Sequence, residues 1–419
     1  MRNGLSVIIA AAVLGVASGA LRAADLYVNP TGAGGAFTSI QAAVNAAPAG
    51  TAANRTNIFV APGVYTETAG ANANLNIAKP YLTLVGTGGS PGDVVIQNGV
   101  PGLTGATRLQ SAANDFLAAN LTFKNTVPDN GGVAVALRNS ADRSAFQNVR
   151  FESYQDTLLA ENRVRQYYRD CYVTGDVDFI FGNATAVFDQ CVVNSTSGGY
   201  VTAAETPASQ AIGLVFLNSQ LTRNGPPGAG ANSVFLGRPW HWPASEGGSR
   251  ASVTFINTRM DAHVRTAGWD PWNGAGGINP NPDPDGTTRY SEFNSQDAHG
   301  NPLPLDSAGV PVGRVAWADP MTAEQAAAYT LENIFSGPAF WNANPHLQPE
   351  FLGPYTQQAG VAPWDPHASL AHLPPVPEPG AAGLIGVVGL SLRCGRVVRR
   401  RLFIARRPAR RGTGKRLSQ

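Results

Sequence analysis

A short motif that recurs along the middle of the chain constrains the fold more than any other sequence feature. Each copy has an aromatic or small apolar residue, an Asn, Asp or Gln two positions later, and an apolar residue three positions after that. Copies start at positions 118, 146, 168, 188, 216 and 255. Repeats of this length, roughly 20 to 40 residues, are typical of solenoids in which each repeat forms one coil.

The segments between the turns indicate strands and not helices. They are short runs of β-branched and aromatic residues, separated by Asn, Asp and Gly, which is the pattern of β-strands joined by turns. We therefore predict an all-β fold, a single-stranded right-handed parallel β-helix whose longer intervals form loops on one side. A short helix at about residues 39–47 is expected to cap the open N-terminal end of the solenoid.

Two aspartates stand among apolar and aromatic residues, where an acid is uncommon unless it is paired or functional. Asp156 lies in the run YQDT and Asp178 in the run DVDFIF. The spacing between them equals the spacing between the motif copies that start at 146 and 168. Residues one coil apart in a stacked solenoid lie about 4.8 Å apart, so the sequence predicts a two-carboxylate site on one face.

A third segment adds a cation and an indole to this candidate site. Arg238 and Trp240 lie in the run FLGRPW, directly after a predicted strand. A guanidinium suits bidentate binding of a carboxylate, and an indole suits stacking on a sugar ring.

Five motifs in this order resemble the pectin methylesterases, the pectinesterase family. They are GVYTE at 63–67, AVALR at 134–138, YQDT at 154–157, GDVDFIFGN at 175–183 and LGRPW at 236–240. The resemblance covers about residues 25–345. It implies a pectin lyase-like solenoid that acts as a carboxylic ester hydrolase and removes the methyl esters of homogalacturonan, a pectin or a related methylated polysaccharide.

The resemblance also implies a role for each matching residue. Asp178 corresponds to the nucleophile and Asp156 to the general acid and base. Gln155 corresponds to an oxyanion donor, Arg238 to the residue that holds the nucleophile and Trp240 to a substrate-stacking residue. The residues expected to line the sugar groove beside them are Tyr154, Phe181 and Trp242. No metal or cofactor is implied.

Elementary electrostatics agrees with these roles. Asp178 paired with Arg238 should stay ionised and be able to attack an ester carbonyl. Asp156, beside a second carboxylate and among aromatic residues, should have a raised pKa and act as a proton donor. By contrast, we expect Tyr65, Glu67 and Arg138 to support the fold and not the chemistry.

The sequence departs from the family pattern at a position that bears on activity. Family members typically carry a second Gln directly before the AVAL run, and here that residue is Val133. Loss of one oxyanion donor costs on the order of 10²–10³ in rate in other enzymes. Other departures are the run VTAAE at 201–205 and a Gly-, Asn- and Pro-rich insert at about 272–301, which is expected to reshape one wall of the groove.

These departures leave other functions open. The chain could be a catalytically weakened, polysaccharide-binding β-helix, or an esterase for a different ester. A β-elimination lyase on the same fold would need a cluster of calcium-binding carboxylates and a basic residue as base, and the sequence shows neither. The six His residues are scattered without metal-ligand spacing.

The two ends of the chain indicate export. Residues 1–24 have an early Arg, a short apolar run and small residues before Asp25, as in a secretory signal peptide. Residues 346–375 are expected to be a Pro-rich linker. Residues 376–419, with the run VPEP, an apolar stretch and an Arg cluster, resemble a PEP-CTERM sorting signal. This resemblance implies transient membrane anchoring before processing, with the mature protein in the periplasm, at the cell surface or outside the cell.

The distribution of charge excludes nucleic acid as a partner. The whole chain has a formal charge of +2, but 13 of its 30 Lys and Arg lie before residue 25 or after residue 379, where there is no acid. The remaining body therefore has 17 basic and 28 acidic residues, and it shows no basic aromatic face. We expect a monomer. Cys171 and Cys191 fall at equivalent repeat positions and could form a disulfide or remain stacked thiols.

Overall fold

The computed structural model describes residues 25–67, 74–223, 228–240, 250–270 and 288–376. The predicted signal peptide and all but the first residue of the predicted sorting tail lie outside these residues. Among the described residues, no helix is long and apolar enough to cross a membrane.

Strands dominate the described part of the chain, and the few helices lie near its two ends. The strands are β1 Asp25–Val28, β2 Thr56–Val60, β3 Gly63–Thr66, β4 Leu75–Ile77, β5 Leu82–Gly86, β6 Val94–Asn98, β7 Thr107–Leu109, β8 Leu117–Asn125, β9 Leu137–Asn139, β10 Ser144–Glu152, β11 Leu158–Ala160, β12 Arg165–Arg169, β13 Tyr172–Gly175, β14 Ile180–Gly182, β15 Thr185–Asp189, β16 Val192–Ser195, β17 Gly199–Ala204, β18 Leu214–Leu217, β19 Gln220–Thr222, β20 Val234–Pro239, β21 Ser252–Ile256, β22 Arg259–Met260, β23 Arg289–Phe293, β24 Gln296–Asp297 and β25 Asp319–Pro320. The α-helices are α1 Ile40–Ala46, α2 Ala323–Ala328, α3 Leu331–Phe335, α4 Pro338–Ala343 and α5 Pro366–Leu370.

The strands stack into three ladders that run along the molecule. One ladder contains β4, β7, β9, β11, β14, β17 and β20, and it forms a sheet of its own. The other two ladders are joined through the long strands β8 and β10, each of which pairs with strands of both. Neighbouring coils pair in parallel, as β10 does with β12 and β11 with β14. The predicted parallel β-helix is therefore confirmed.

The repeated motif places one aromatic ring of each coil in the same column of the core. Phe146 pairs in register with Tyr168, and Tyr168 with Phe188. The column continues through Phe216 and Phe255, and consecutive ring centroids lie 4.5 to 4.8 Å apart. Because all these rings are fully buried and stack only when the coils are aligned, the column fixes the register of the solenoid.

The polar residue of the motif forms the corner between two ladders. In all six copies it has a left-handed backbone, with φ between 52° and 56°, a conformation that Asn and Asp tolerate better than most residues. Side chains also bridge consecutive corners, since the amide of Asn148 donates to Asn120 at 3.1 Å and that of Asn257 to Asn218 at 3.2 Å.

Helix α1 covers the N-terminal end of the core, as predicted. Its buried residues Ile40 and Val44 belong to the main apolar cluster. The carboxylate of Glu67, only 3% exposed, accepts hydrogen bonds from the Ser39 hydroxyl at 2.8 Å and from the Ile40 backbone N–H at 2.6 Å. A carboxylate at a helix N-terminus is stabilising, and Glu67 therefore has the structural role expected of it.

The prediction of a linker at 346–375 is wrong, because this segment packs against the solenoid. Trp364 and Leu370 are buried in a second apolar cluster, formed with outward-facing residues of the β12 and β15 ladder. The Tyr167 hydroxyl donates to Asp189 at 2.7 Å and lies 3.0 Å from Nε2 of His367 in α5. The proline content predicted an extended spacer. Instead, apolar residues between the prolines are buried against the outer face of this ladder.

Part of the expected insert at 272–301 also belongs to the solenoid. Strand β23 pairs with β21, and Tyr290 packs against Trp269 with tilted rings whose centroids lie 4.4 Å apart. At the register position of Phe255 this coil has Glu292, which forms a buried ion pair with Arg314 at 2.7 Å. Because this coil has an acid at the aromatic position, it lacks the repeated motif and was not predicted from it. Residues 271–287 lie outside the described part of the chain.

The two buried cysteines are free thiols. Cys171 and Cys191 are each 1% exposed, and no disulfide joins them. Burial raises the pKa of the Cys191 thiol well above its ordinary value, as expected for unreactive core cysteines.

Candidate active site

The two aspartates occupy equivalent positions in consecutive coils, directly before β11 and β14. Leu158 pairs with Ile180, and the shift in numbering between these partners is the same as the shift between Asp156 and Asp178. The Asp156 backbone N–H donates to the carbonyl of Val177 at 3.0 Å. Both aspartates have left-handed backbones, with φ of 65° and 52°, and are only 8% and 6% exposed. The structure therefore brings the predicted pair together.

Arg238 holds Asp178 from a strand two coils further along. It pairs in register with Ala203 of β17, which pairs in turn with Phe181 of β14. Its Nε donates to one carboxylate oxygen of Asp178 at 2.9 Å and its Nη2 to the other at 2.5 Å. Such a bidentate pair adds orientation as well as energy, so it fixes the position of the Asp178 carboxylate.

Two opposing effects act on the ionisation of Asp178. Burial is the larger effect and raises the pKa of this carboxyl above its ordinary value, and the hydrogen bonds and charge of Arg238 offset only part of that rise. A carboxylate accepts both guanidinium hydrogen bonds without a proton of its own. The bidentate geometry therefore favours the ionised, nucleophilic form.

The neighbouring carboxyl of Asp156 favours the protonated form. Burial first, and then the charge of Asp178, raise its pKa to about 8, against the smaller lowering effects of Arg238 and of a hydrogen bond with the Gln155 side chain. At neutral pH this carboxyl therefore carries a proton in the resting protein. Two neighbouring acids whose pKa values are pushed apart form the arrangement needed for a nucleophile and a proton donor.

The predicted lining residues surround this pair in part. Phe181 is buried and forms an apolar strip with Val135, Leu159 and Ala203 on the outer side of the ladder that contains β11, β14 and β17. Trp240 packs against this strip, with its ring 6.0 Å from that of Phe181. Gln155 and Tyr154 are half-buried and precede Asp156 directly in the chain. Trp242 lies outside the described residues.

Val133 lies one coil before Gln155. The backbone N–H of the next residue, Ala134, donates to the Gln155 carbonyl at 3.1 Å, and the Val133 carbonyl accepts from Gly102 at 2.6 Å. Val133 is half-buried and offers no side-chain donor. The second side-chain oxyanion donor of the family pattern is therefore missing from this position.

Sequence reasoning missed Tyr200, which supports the ion pair. Its ring lies 4.0 Å from the guanidinium carbon of Arg238 and stacks on Phe235 at 5.5 Å. Because Ile180 pairs with Thr202, the shift that relates the two aspartates continues for one more coil. Tyr200 therefore follows Asp178 in the same column, and extending the spacing by one step would have found it.

An open groove of about 720 Å³ continues from this strip towards the N-terminal coils. Leu159 and Trp240 form part of its wall near the carboxylate pair, and charged side chains form much of the rest. A groove of this form suits a linear polymer that extends beyond the reacting residue.

Comparison with known proteins gives a consistent result. The pectinesterase family model matches residues 25–337. Pectinesterase 31 of Arabidopsis thaliana is 35% identical over 251 residues, which cover 58% of this chain and 75% of that protein. Probable pectinesterase/pectinesterase inhibitor 17 of the same plant is 32% identical over 318 residues, 72% of this chain, and the match spans 55% of that longer protein.

A solved structure agrees with the sequence comparisons. The pectin methylesterase from Yersinia enterocolitica has 31% sequence identity and a TM-score of 0.58 to this chain. The alignment covers 71% of this chain and 98% of that one. The similarity thus includes nearly the whole of that enzyme.

Proposed function

Because the chain belongs to the pectinesterase family, we propose that it hydrolyses the methyl esters of homogalacturonan to pectate and methanol, with Asp178 as nucleophile and Asp156 as general acid and base. One observation carries these roles: the Asp178 carboxylate is held by both arms of Arg238 beside an acid whose pKa is raised to about 8. The right-handed parallel β-helix supplies the rigid face on which the three side chains meet.

In the first half of the reaction, a carboxylate oxygen of Asp178 attacks the ester carbonyl carbon. In this scheme the Gln155 amide donates to the resulting oxyanion. Asp156 then gives its proton to the methoxy oxygen as the carbon–oxygen bond breaks. Methanol leaves, and an anhydride joins Asp178 to the uronate.

In the second half, Asp156 is a carboxylate and takes a proton from a water molecule. The water oxygen attacks the acyl carbon of the anhydride, and the bond to Asp178 breaks. The products are the free uronic acid, which ionises in solvent, an ionised Asp178 and a protonated Asp156. The starting state is restored without a cofactor in the scheme.

Val133 supports a second candidate function. With one side-chain oxyanion donor where the family pattern has two, turnover on pectin would be slow, and the protein would act mainly as a polysaccharide-binding β-helix or on a different ester. Methanol release from pectin, measured beside a panel of small methyl esters, distinguishes these possibilities. An unsaturated product that absorbs in the ultraviolet would instead support a lyase.

The nucleophile is tested by Asp178→Asn, which preserves the size and the left-handed backbone of the residue. We expect methanol release to fall by about 10³-fold or more. Asp170→Asn is the matched control, because Asp170 has the same φ of 52° at another corner of the same coil but is exposed. Wild-type rates in Asp178→Asn, or an equal loss in the control, would contradict the assignment.

We also propose that the protein is exported and processed at both ends. The support is the apolar, basic-flanked leader at 1–24 and the VPEP, apolar and Arg-rich order of 376–419. Mass spectrometry of the secreted protein should find a mature N-terminus near residue 25 and a C-terminus upstream of the Arg cluster. An intact chain recovered from the cytoplasm would contradict this.

A further inference from the structure

Two aromatic rings and a cation continue the column that contains the two aspartates. Tyr200 follows Asp178 in this column, and Phe235 pairs in register with Tyr200. A bridge from β20 to the following coil places Arg265 next. On the C-terminal side of the nucleophile the column therefore contains a Tyr, a Phe and an Arg.

Arg238 reaches into this column from the neighbouring row. It lies three residues after Phe235 and extends back two coils to the Asp178 carboxylate. Its guanidinium carbon lies 4.0 Å from the centre of the Tyr200 ring. The Tyr200 and Phe235 rings stack with centroids 5.5 Å apart, and the guanidinium carbon of Arg265 lies 4.5 Å from the centre of Phe235. The order along the solenoid is therefore carboxylate, guanidinium, two rings and a second guanidinium.

Each ring of this stack has both of its faces covered. Arg238 covers the side of Tyr200 that faces Asp178, and Phe235 covers the other side. Phe235 is enclosed in the same way by Tyr200 and Arg265. Stacking on a sugar requires a free ring face. These two rings therefore contact protein cations and do not form a platform for the polysaccharide.

A second acid lies near Arg238 and competes with Asp178 for it. The backbone N–H of Asp270 donates to the carbonyl of Gly237 at 3.0 Å. Burial lowers the pKa of Arg238, but Asp178 and, to a smaller extent, Asp270 raise it above its ordinary value. A guanidinium fork between two carboxylates can turn towards either one. Attraction to the face of the Tyr200 ring opposes this rotation, because it is strongest when the guanidinium stays over the ring.

We propose that Tyr200 is a positioning residue, whose ring face holds Arg238 in the orientation that binds both oxygens of Asp178. This inference rests on the proposed function, in which Asp178 is the nucleophile. Phe235 supports the ring by filling the space behind it. Without the ring, the guanidinium would turn away from Asp178 for part of the time, and the carboxylate would attack from a less defined position. The loss falls on the chemical step and not on affinity, because neither ring face is open to the polysaccharide.

Kinetics of methanol release from pectin test this role. Tyr200→Leu should lower kcat about tenfold and change KM by less than about twofold. Tyr200→Phe keeps the ring and should retain kcat within about twofold. Tyr172→Leu is the matched control, because the Tyr172 ring also lies beside a guanidinium, that of Arg150 at 4.3 Å, but on another ladder. It should change neither kcat nor KM.

Three results would overturn the proposal. They are a raised KM with unchanged kcat in Tyr200→Leu, unchanged kinetics in that variant, and an equal loss of kcat in Tyr200→Phe. If Tyr200→Leu does not fold, Phe235→Leu decides the point. It removes only the ring behind Tyr200 and should lower kcat about threefold at unchanged KM, and an unchanged kcat would count against the stack.

A double-mutant cycle on stability separates this contact from the reaction. Tyr200→Leu and Arg238→Gln are made singly and together, and urea-induced unfolding is measured for each protein. If the ring and the guanidinium interact, the double variant should be more stable than the two single losses predict, by about fivefold in the unfolding equilibrium constant. A coupled pair without methanol release by the wild-type protein would refute the proposed reaction and leave the contact standing. Normal release with additive losses would refute the role of Tyr200 alone.

Discussion

Replacing the buried acid at position 156 should stabilise the protein while it removes activity. The pKa of Asp156 rises from an ordinary value of 3.8 to about 8 in the folded chain. An acid whose pKa is raised by folding binds its proton more tightly in the native state. Its contribution to stability is therefore fully present below pH 3.8 and is lost as the pH rises through 8.

The size of the effect follows from the interval between the two pKa values. Each pH unit above 3.8 and below 8 removes about 1.4 kcal/mol of stability from the wild-type protein. At pH 5 the loss is about 2 kcal/mol, and at pH 7 it is about 4 kcal/mol. Asn has nearly the same volume as Asp, tolerates the left-handed backbone at this position and does not titrate, so Asp156→Asn should avoid this loss.

Urea-induced unfolding of the two proteins at pH 5, 7 and 8 measures the difference. The advantage of Asp156→Asn should grow with pH, with the same sign at each value, and methanol release should fall by at least about 10². Asp170→Asn, exposed and with the same left-handed backbone conformation, should show no growth with pH. A pH-independent difference, or a variant less stable than wild type at pH 7, would refute the argument that burial holds Asp156 protonated.

Two further predictions concern the oxyanion site and acid stability. Val133→Gln should raise the rate of methanol release by up to about 10², whereas Val133→Leu should not; equal rates in all three proteins would show that the missing donor does not limit turnover. His263 is fully buried and burial lowers its pKa to about 4, so its own contribution to stability should fall by about 3 kcal/mol as the pH drops from 6.5 to 4, which offsets the gain from Asp156 over that range. His263→Leu should remove this loss in urea-induced unfolding, and an unchanged pH profile in that variant would place the acid-sensitive group elsewhere.

The coils with regular spacing could be predicted from the sequence because two positions in each coil are tightly constrained. The aromatic position must fill the core and stack on its neighbours, as Phe146 does on Tyr168. The polar position must accept a left-handed backbone at the corner, as Asn148 does. Few residue types meet either condition, and the pattern is therefore visible without an alignment. The same spacing predicted that Asp156 and Asp178 share a face.

The coil that breaks the aromatic rule could not be found in this way. Glu292 occupies the core column at the position of Phe255 because Arg314, further along the chain, supplies both its charge partner and its hydrogen bonds. Neither residue alone has a pattern that predicts the pair. The packing of residues 346–375 could not be predicted for a related reason. Burial of Trp364 and Leu370 depends on the outer face of a ladder that lies much earlier in the chain.

The groove shows where local sequence stops being informative about function. Arg108 and Trp240 both lie on its wall although they are far apart in the chain. In the sequence, Arg138 and Arg108 look alike, each being a basic residue beside a Leu in a short strand. The difference arises only when stacking brings Glu161 against Arg138, whereas no acid in the described part of the chain forms an ion pair with Arg108. In this groove, the charges that remain for a ligand therefore depend on how side chains pair between coils, and the residue types of a single coil do not determine them.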